Sequence, residues 1–358
     1  MRYLKKFFKN KRVIVTGHTG FKGSWLSFLL YILGAKVIGI SKDVPSEPSL
    51  YKILNLKKKM IDIKLDIRNL SALKKTLRKY KPNYVFHLAA QSLVNKSYID
   101  PVLTFTTNAI GTMNIMESIR GLKNKCISVI ITSDKSYKNL EIKRGYKEED
   151  LLGGKDPYSA SKASAELIIQ SYIQSYFNLK SNNKYFAIAR AGNVIGGGDW
   201  SSDRLIPDCV KAWSKNKLVI IRNPNSTRPW QHVFEALRGY IFLMIKLSKN
   251  SKLHGAAFNF GPKNSQNKTV VELINEMKKT WKNILWKKNK NILHNYESNL
   301  LKLNSNKAKN KLDWEPKLSF KQTISMVALW YESFYKKKNM FEISKIQIIK
   351  YFSKSRVL

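Results

Sequence analysis

Short apolar runs rich in β-branched residues recur through the first half of the chain, and segments with helical periodicity lie between them. The pattern predicts strands at residues 12–16, 36–40, 60–64, 84–88, 127–132 and 185–190. Helical patterns separate the first four strands, and the helix predicted at 24–33 joins the first two. Strands that alternate with helices predict an α/β fold with a parallel, doubly wound sheet of the Rossmann type.

The pattern changes after Gly192, where Gly, Asn, Pro and Trp become frequent. Helical periodicity returns at residues 205–214, 233–247 and 270–281. We therefore expect a Rossmann domain that occupies mainly residues 1–190 and a smaller mixed lobe, interleaved with the sheet, that occupies mainly residues 191–340. Residues 341–358 are expected to form a C-terminal tail. The lysine-rich stretch at 287–309 is expected to be a solvated loop and helix surface.

The formal net charge of +41 bears on function, because so basic a chain is also typical of nucleic-acid binders. The excess is mostly lysine, spread along the whole chain without a basic helix or an arginine-rich tract. A general lysine bias explains the charge better, and we expect no nucleic-acid partner. Arginine is scarcer, yet Arg190, Arg204, Arg222 and Arg228 fall close together, which indicates a need for its planar, bidentate head group.

Cysteine usage and hydropathy bear on the compartment. Cys126 and Cys209 lack the spacing of a metal site or of a disulfide framework, so we expect a reducing cytoplasm and no metal. Residues 1–12 are basic but have no signal-peptide core or cleavage site. The longest apolar run, 28–40, is interrupted by Gly34 and Lys36 and is too short to span a bilayer.

The turn after the first predicted strand carries Gly17, Gly20 and Gly23, spaced three residues apart. Such glycines let the backbone approach a pyrophosphate, which then lies at the positive N-terminus of the following helix. A plain tight turn is the structural alternative, but the βαβ context favours a dinucleotide site. Asp66, after the third strand, fits the adenine of the same cofactor or, alternatively, caps a helix. His87 is interpreted as a structural strand-end residue.

A second constellation predicts redox chemistry on a hydroxyl group. Tyr158 and Lys162 are four residues apart and therefore share one helix face. The ammonium group lowers the pKa of the phenol, so that the tyrosine can take a proton from a hydroxyl while hydride leaves the carbon for nicotinamide. Ser133, in the polar cluster 132–135 at a strand end, can hydrogen-bond the same hydroxyl.

At these residues the chain resembles the extended short-chain dehydrogenase/reductase family, over about residues 11–331. The strings FHLAAQSLV, GGKDPYSASKASAEL, ARAGNVIGGGDW, DRLIPD and IRNPNSTRPWQHV are similar to the branch that dehydrates CDP-glucose. The resemblance implies NAD as cofactor, held by Gly17, Thr19, Gly20, Phe21, Lys22, Gly23, Asp66, Ile67, Leu88, Ala89, Ala90, Gln91, Asn108, Tyr158 and Lys162. It implies a substrate site formed by Asn193, Arg204, Leu205, Arg222, Arg228 and Gln231. It also implies a homodimer or homotetramer.

The implied reaction is an internal redox cycle that converts CDP-glucose to the 4-keto-6-deoxy sugar nucleotide and water, for the deoxysugars of surface polysaccharides such as lipopolysaccharide. In it Tyr158, assisted by Ser133 or Thr132, takes the proton of the C4 hydroxyl. Asp134, protonated, donates to the departing C6 hydroxyl. Lys135 is the C5 base only if its pKa is depressed; otherwise it orients a water or stabilises the enolate.

Other functions remain as alternatives. A nucleotide-sugar dehydratase for another base, a 4-epimerase or a decarboxylase shares the cofactor motif and the Tyr/Lys pair. Asp134 favours a dehydratase, because an epimerase needs no acid for a leaving group. A non-catalytic basic Rossmann protein that binds nucleic acid is supported by the charge alone. The choice of NAD over NADP stays open at residues 41–43, where Lys42 suits a 2′-phosphate and Asp43 suits a 2′-hydroxyl.

Overall fold

The structure, a computed structural model, describes residues 1–142, 144–178, 183–202, 204–281, 284–288 and 301–353. Its strands are β1 Arg12–Thr16, β2 Lys36–Ser41, β3 Ile61–Lys64, β4 Tyr84–His87, β5 Cys126–Ile131, β6 Lys184–Ala191, β7 Val194–Ile195, β8 Val219–Ile221, β9 Thr227–Pro229, β10 Gln231–His232, β11 Ala257–Phe260, β12 Asn267–Thr269 and β13 Trp286–Lys288.

Its α-helices are α1 Arg2–Phe8, α2 Phe21–Ile32, α3 Leu50–Ile53, α4 Leu70–Tyr80, α5 Val94–Ile99, α6 Pro101–Phe105, α7 Gly111–Arg120, α8 Pro157–Tyr172, α9 Leu205–Trp213, α10 Val233–Lys249, α11 Val270–Lys278, α12 Asn306–Leu312, α13 Phe320–Tyr335 and α14 Met340–Ser353. Short 3₁₀ turns lie at Leu56–Lys59, Asp134–Ser136, Ser251–Leu253 and Asn264–Gln266, and π-helical turns at Thr106–Ile110 and Ile173–Phe177.

Seven parallel strands form the central sheet in the order β11-β6-β5-β4-β1-β2-β3. The chain runs outward from β1 in one direction through β2 and β3, and then in the other through β4, β5, β6 and β11. A crevice therefore opens at the carboxyl ends of β1 and β4, where ligands of doubly wound sheets bind. The predicted α/β fold with a doubly wound parallel sheet is confirmed.

The strands are apolar on both faces because helices cover both sides of the sheet. Along β1, Val13 and Val15 belong to the larger buried cluster, whereas Ile14 belongs to the smaller one on the opposite face. The larger cluster includes buried residues of α2, α10, α13 and α14, and the smaller one those of α4 and α7. Burial on both faces fixes the register of β1 and, with it, the position of the glycine turn that follows.

The six predicted strands are found, each shifted by no more than a residue or so at its ends. The seventh strand, β11, was not predicted; it pairs with β6, with Phe258 opposite Ala189. The segment expected as a tail contains α14, whose Ile348 and Phe352 are fully buried; residues 354–358 lie outside the described residues. Residues 289–300 of the lysine-rich stretch also lie outside them. Among the described helices, none is long and apolar enough to cross a membrane.

Candidate active site

A cleft of about 1660 Å³ lies at the carboxyl ends of the strands, beside residues that follow Gly192 in the sequence. Its wall contains most of the residues that the sequence analysis singled out: Gly17, Thr19, Gly20, Phe21, Lys22, Gly23, Asp66, Ile67, Leu88, Ala89, Ala90, Thr132, Ser133, Asp134, Lys135, Tyr158, Lys162, Asn193, Arg204, Leu205, Arg222 and Arg228. The fold thus brings together segments that are more than two hundred residues apart in sequence. Gln91, Asn108 and Gln231 do not line it.

The glycine turn has no room for side chains where it contacts the protein. Gly17 has φ +73°, and a Cβ added there would lie 2.8 Å from the backbone nitrogen of Ala89. A Cβ on Gly23 would lie 2.0 Å from the Gly17 carbonyl oxygen. A Cβ on Gly20 would approach only the Gly17 oxygen, at 3.4 Å, and Gly20 caps α2 without a side-chain hydrogen bond. This open, uncapped helix N-terminus at the cleft wall fits the pyrophosphate of a dinucleotide.

Asp66 presents a carboxylate to the cleft and does not cap α4. The N-cap is Asn69, whose side chain accepts a hydrogen bond from the Ala72 N–H. Asp66 instead accepts from Arg68, through the backbone N–H at 2.9 Å and through Nη2 at 2.7 Å. Hydrogen bonds from Arg68 lower the pKa of Asp66, so the carboxylate is ionised at neutral pH and available to an adenine amino group.

At the end of β4, two of the predicted cofactor residues brace the loop from behind the cleft wall. The Gln91 N–H donates to Asn108 Oδ1 at 2.8 Å, and Asn108 Nδ2 donates to Gln91 O and to Ser161 Oγ, both at 2.9 Å. These bonds tie the loop that follows β4 to α8. The Gln91 side chain bonds to Leu93 and Thr104, so the side chains of both Gln91 and Asn108 are occupied by protein contacts at the wall made by Leu88, Ala89 and Ala90.

His87 has a structural role, as expected. Its Nδ1 lies 2.7 Å from Thr16 Oγ1 and its Nε2 lies 3.1 Å from Thr112 Oγ1. Burial lowers its pKa to about 3, so the ring is neutral and links β1 to α7.

Helix α8 positions Tyr158 and Lys162 at the cleft. Pro157 occupies the first turn and the Asp156 side chain accepts from the Ser159 N–H at 3.0 Å, which fixes where the helix begins. Burial raises the pKa of Tyr158 to about 12, and the opposing influences come chiefly from Ser133 and Arg204 rather than from Lys162. Burial, reinforced by the charge of Lys22, lowers the pKa of Lys162 to about 8.

The turn after β5 carries the candidate acid. Ser133 caps this turn: its Oγ accepts from the Lys135 N–H at 3.2 Å and donates to Asp134 Oδ1 at 3.0 Å. Asp134 is 6% exposed, and burial raises its pKa against the lowering effect of Lys135. Lys135 is half-buried and lines the cleft. The Thr132 hydroxyl donates to Glu166 Oε1 at 2.6 Å, so its proton is engaged away from Tyr158.

Residues that follow Gly192 supply cations to the cleft. Arg204 occupies the N-cap position of α9, and its Nη1 lies 2.9 Å from Asp199 Oδ2. Arg222 and Arg228 line the same cleft, and Arg228 Nη1 donates to the Thr227 carbonyl at 2.9 Å. These positions suit an anionic ligand such as a diphosphate.

Three further side chains after Gly192 differ in whether they reach the cleft: those of Gln231, Trp200 and Trp230. Gln231 is 1% exposed, and neither atom of its amide has a hydrogen-bond partner among the described residues. Trp200 packs against Trp330 and Phe334 and is a core residue. Trp230 lines the cleft and donates to the Lys268 carbonyl at 2.8 Å.

Two site residues escaped the sequence analysis. Asp199 lines the cleft and pairs with Arg204. It follows three consecutive glycines, and this local sign of an unusual backbone is the signal that could have identified it. Glu166 lies behind the cleft, four residues after Lys162 on the same helix face, and that spacing could have identified it. Among the described residues, no group of three or more His, Cys, Asp or Glu side chains could hold a metal ion.

Comparison with known proteins places this arrangement in a family. A family model described as GDP-mannose 4,6 dehydratase matches residues 14–327. The CDP-glucose 4,6-dehydratase of Salmonella typhimurium is 42% identical over 356 residues, which cover 98% of each protein. The CDP-paratose 2-epimerase of Salmonella typhi is 23% identical, over 90% of this chain and 99% of the relative.

Solved structures share the fold at low sequence identity. The UDP-glucose 4-epimerase of Thermotoga maritima, solved with UDP-glucose, has a TM-score of 0.76 at 22% identity and covers 90% of this chain and 99% of its own. The UDP-glucose 4-epimerase of Thermus thermophilus, solved with NAD, has a TM-score of 0.75 at 22% identity, with the same coverage. The extent of the family match and of the 42% identity shows that this chain belongs to the GDP-mannose 4,6-dehydratase family of nucleotide-sugar enzymes.

Proposed function

We propose that the protein is an NAD-dependent CDP-glucose 4,6-dehydratase, which converts CDP-glucose to CDP-4-dehydro-6-deoxyglucose and water. The observation that carries the proposal is Asp134, a buried carboxyl group with a raised pKa in the same cleft as Tyr158 and Lys162. A 4-epimerase needs no acid for a leaving group, whereas elimination at C6 does. The 42% identity to a CDP-glucose 4,6-dehydratase supports the choice of base and sugar.

NAD fits the half of the cleft formed by the Rossmann domain. The α2 N-terminus at Gly20 would hold its pyrophosphate, Asp66 and Ile67 its adenine, and Leu88 to Ala90 its nicotinamide ribose. When bound, NAD supplies a hydride acceptor for C4 of the sugar and a hydride donor for C6 in the same turnover, so no cofactor is consumed. Lys42 and Asp43 both line the cleft, and the choice of NAD follows from the relatives rather than from these two residues.

Oxidation at C4 depends on proton transfer to Tyr158. The phenolate oxygen of Tyr158 accepts the proton of the C4 hydroxyl, and the Ser133 hydroxyl, which interacts with Tyr158, orients that group. Lys162, with a pKa of about 8, is largely protonated at neutral pH. Its positive charge favours the phenolate over the phenol once substrate covers the cleft and excludes water.

Elimination of water depends on Asp134. The ketone at C4 acidifies the C5 hydrogen, and loss of that proton must accompany departure of the C6 hydroxyl. Because burial raises the pKa of Asp134, its carboxyl holds a proton more readily than an exposed aspartate does, and we propose that it delivers this proton to the leaving oxygen. Lys135 follows directly in the turn and is proposed to act at C5, either as the base or through a water that it orients.

The diphosphate of the substrate is proposed to lie at the end of the cleft formed by the second lobe. Arg222 and Arg228 would contact it, with Arg204 and the N-terminus of α9 beside it. Asn193 and Leu205 complete the wall there. Gln231 is buried and does not line the cleft, so we propose that it does not touch the substrate.

We also propose that the protein forms a homodimer and acts in the cytoplasm. Apolar side chains are exposed on α5, α6, the π-helical turn that follows, and α8, which contact one another. They are Tyr98, Ile99, Val102, Phe105, Ile110 and Leu167, and Tyr176 is exposed in the second π-helical turn, which follows α8. Exposed apolar surface of this kind is costly in water and typical of a subunit interface. A second copy of the same face, related by a two-fold axis, would bury it.

Incubation with CDP-, UDP-, GDP- and dTDP-glucose, followed by detection of a 4-keto-6-deoxy product, tests the function. We expect CDP-glucose to be the preferred substrate, with no net accumulation of NADH. Stoichiometric release of NADH during turnover would show a simple dehydrogenase instead, and a product with an inverted C4 and an intact C6 hydroxyl would show an epimerase.

A further inference from the structure

Glu166 is a fully buried carboxylate on α8, one turn beyond Lys162, and it does not line the cleft. Its Oε1 accepts hydrogen bonds from the Thr132 hydroxyl at 2.6 Å and from the Ser136 hydroxyl at 3.0 Å. The same carboxylate accepts from Arg190 Nε, at 2.9 Å to Oε1 and 3.0 Å to Oε2. All of these side chains are buried, so water does not weaken the contacts.

The two hydroxyl donors flank the residues that face the cleft. Thr132 immediately precedes Ser133 and Asp134, and Ser136 closes the 3₁₀ turn that contains Asp134. The Ser136 Oγ also lies 2.7 Å from the Ser133 carbonyl oxygen, so its single proton is shared between that carbonyl and Glu166. Glu166 therefore contacts the turn on both sides of Asp134 without touching Asp134 itself.

Arg190, on β6, extends the same restraint toward the C-terminal side of the turn. Its Nη1 donates to the Tyr137 hydroxyl at 2.6 Å and to the Glu148 carbonyl at 2.9 Å. The Tyr137 hydroxyl in turn donates to Asn259 Oδ1 at 2.8 Å, on β11. The guanidinium group thereby connects the α8 carboxylate to the chain that leaves the turn.

We propose that Glu166, paired with Arg190, is a positioning residue that holds the turn after β5 so that Asp134 stays in its buried position in the cleft. This inference rests on the proposed dehydratase function. Helix α8 then carries Tyr158 and Lys162 for the oxidation and, through Glu166, also sets the geometry of the elimination. A rigid link between the two groups matters because misplacement of a reacting group by about 1 Å can cost on the order of 10²-fold in rate.

A purely structural role is the competing explanation, and the chain contains a matched control for it. Glu235 and Arg238 on α10 are equally buried, with Nη2 and Oε2 3.3 Å apart, and neither lines the cleft. A hydroxyl, that of Tyr351, donates to Glu235 as Thr132 does to Glu166. Glu235→Gln thus removes the charge of a comparable buried pair without affecting the turn.

The experiment compares Glu166→Gln with Glu235→Gln in the full-length protein, by the rate of product formation from CDP-glucose, the KM and the melting temperature. We expect Glu166→Gln to lower kcat by about 10- to 100-fold with KM within about threefold of the parent, because substrate contacts are unchanged. Glu235→Gln should keep the parental kcat, even if its melting temperature falls as far as that of Glu166→Gln.

The pH profile gives a readout that a general loss of stability does not move. A looser turn lets water reach Asp134, which relieves the burial that favours its protonated form. Since the protonated form is the one that acts, the descending limb of kcat against pH should shift to lower pH in Glu166→Gln and stay in place in Glu235→Gln. Ser136→Ala, which removes one hydroxyl contact outside the cleft wall, should shift the limb in the same direction.

Equal kcat values and unshifted limbs in Glu166→Gln and Glu235→Gln would overturn the inference. If Glu166→Gln does not fold, Ser136→Ala decides the question by the same two measurements. If the parent protein makes no 4-keto-6-deoxy product from any of the nucleotide sugars, the proposed function fails. If the parent is active and Glu166→Gln is equally active, the proposed function stands and only the role of Glu166 fails.

Discussion

Replacement of Asp134 by asparagine should separate the two halves of the proposed reaction. The amide is isosteric, and its oxygen can still accept the hydrogen bond that Ser133 Oγ gives to Asp134 Oδ1 at 3.0 Å. The space is tight: a Cβ built on Gly192 would lie 2.9 Å from Asp134 Oδ2, so a larger side chain would not be a fair test. Asparagine keeps this packing but has no proton to give at neutral pH.

The expected effect follows from the role of the carboxyl group as an acid. General acids contribute on the order of 10²–10⁴-fold, which is about 3–5 kcal/mol of activation free energy, so elimination should slow by that factor. Oxidation at C4 should survive, because Asp134 acts in its protonated form and the asparagine that replaces it is equally uncharged, so the substitution does not hinder formation of the Tyr158 phenolate. Reduced cofactor should therefore accumulate in the asparagine variant.

Rapid mixing with CDP-glucose, followed by the near-ultraviolet absorbance of reduced nicotinamide, measures this accumulation. Tyr158→Phe should show the opposite behaviour, with no absorbance change on mixing. Asp150→Asn, which alters an aspartate that pairs with Arg144 away from the cleft, is the control and should resemble the parent. Normal elimination in Asp134→Asn, or the absence of reduced cofactor because oxidation is equally impaired, would refute the role assigned to Asp134.

Three further predictions concern the cofactor site, pH and assembly. Gly20→Ala should keep a near-parental melting temperature, because the added Cβ meets only the Gly17 oxygen, at 3.4 Å, but it should weaken NAD binding at least tenfold by titration. Gly17→Ala should also lower the melting temperature, because Gly17 has φ +73° and the added Cβ would lie 2.8 Å from the Ala89 nitrogen. Burial lowers the pKa of His232 from 6.5 to about 3, so on acidification the unfolded state binds a proton at this histidine before the folded state does, and the free energy of unfolding should fall as the pH drops below about 6.5. In urea unfolding between pH 7.5 and 5, His232→Asn should lose less stability than the parent. An equal loss in the two proteins would contradict this prediction. Leu167→Glu places a charge on the exposed apolar face of α8, so the sedimentation coefficient should change from that of a dimer to that of a monomer. A parent protein that sediments as a monomer at micromolar concentration would disprove the proposed dimer.

Much of this protein follows from the order of its residues. The sequence alone predicts a βαβ unit with an open helix N-terminus, from the apolar run of β1 and the glycines Gly17, Gly20 and Gly23 that follow it. This is possible because local backbone preferences and burial on both faces of a strand act over a few residues. The four-residue spacing of Tyr158 and Lys162 likewise fixes their common helix face before any tertiary contact is considered.

Other features are decided by contacts between distant segments. The strand β11 is four residues long, and its pairing with β6 across some seventy residues leaves no local signal. Sequence alone could not separate Ser133, whose hydroxyl faces Asp134, from Thr132, whose hydroxyl is held by Glu166. Nor could it show that Gln231 is buried and does not line the cleft. The raised pKa of Asp134 is also decided by tertiary structure, because it depends on how much water the surrounding segments exclude. That exclusion exists only once the sheet, α8 and the segments after Gly192 have packed together.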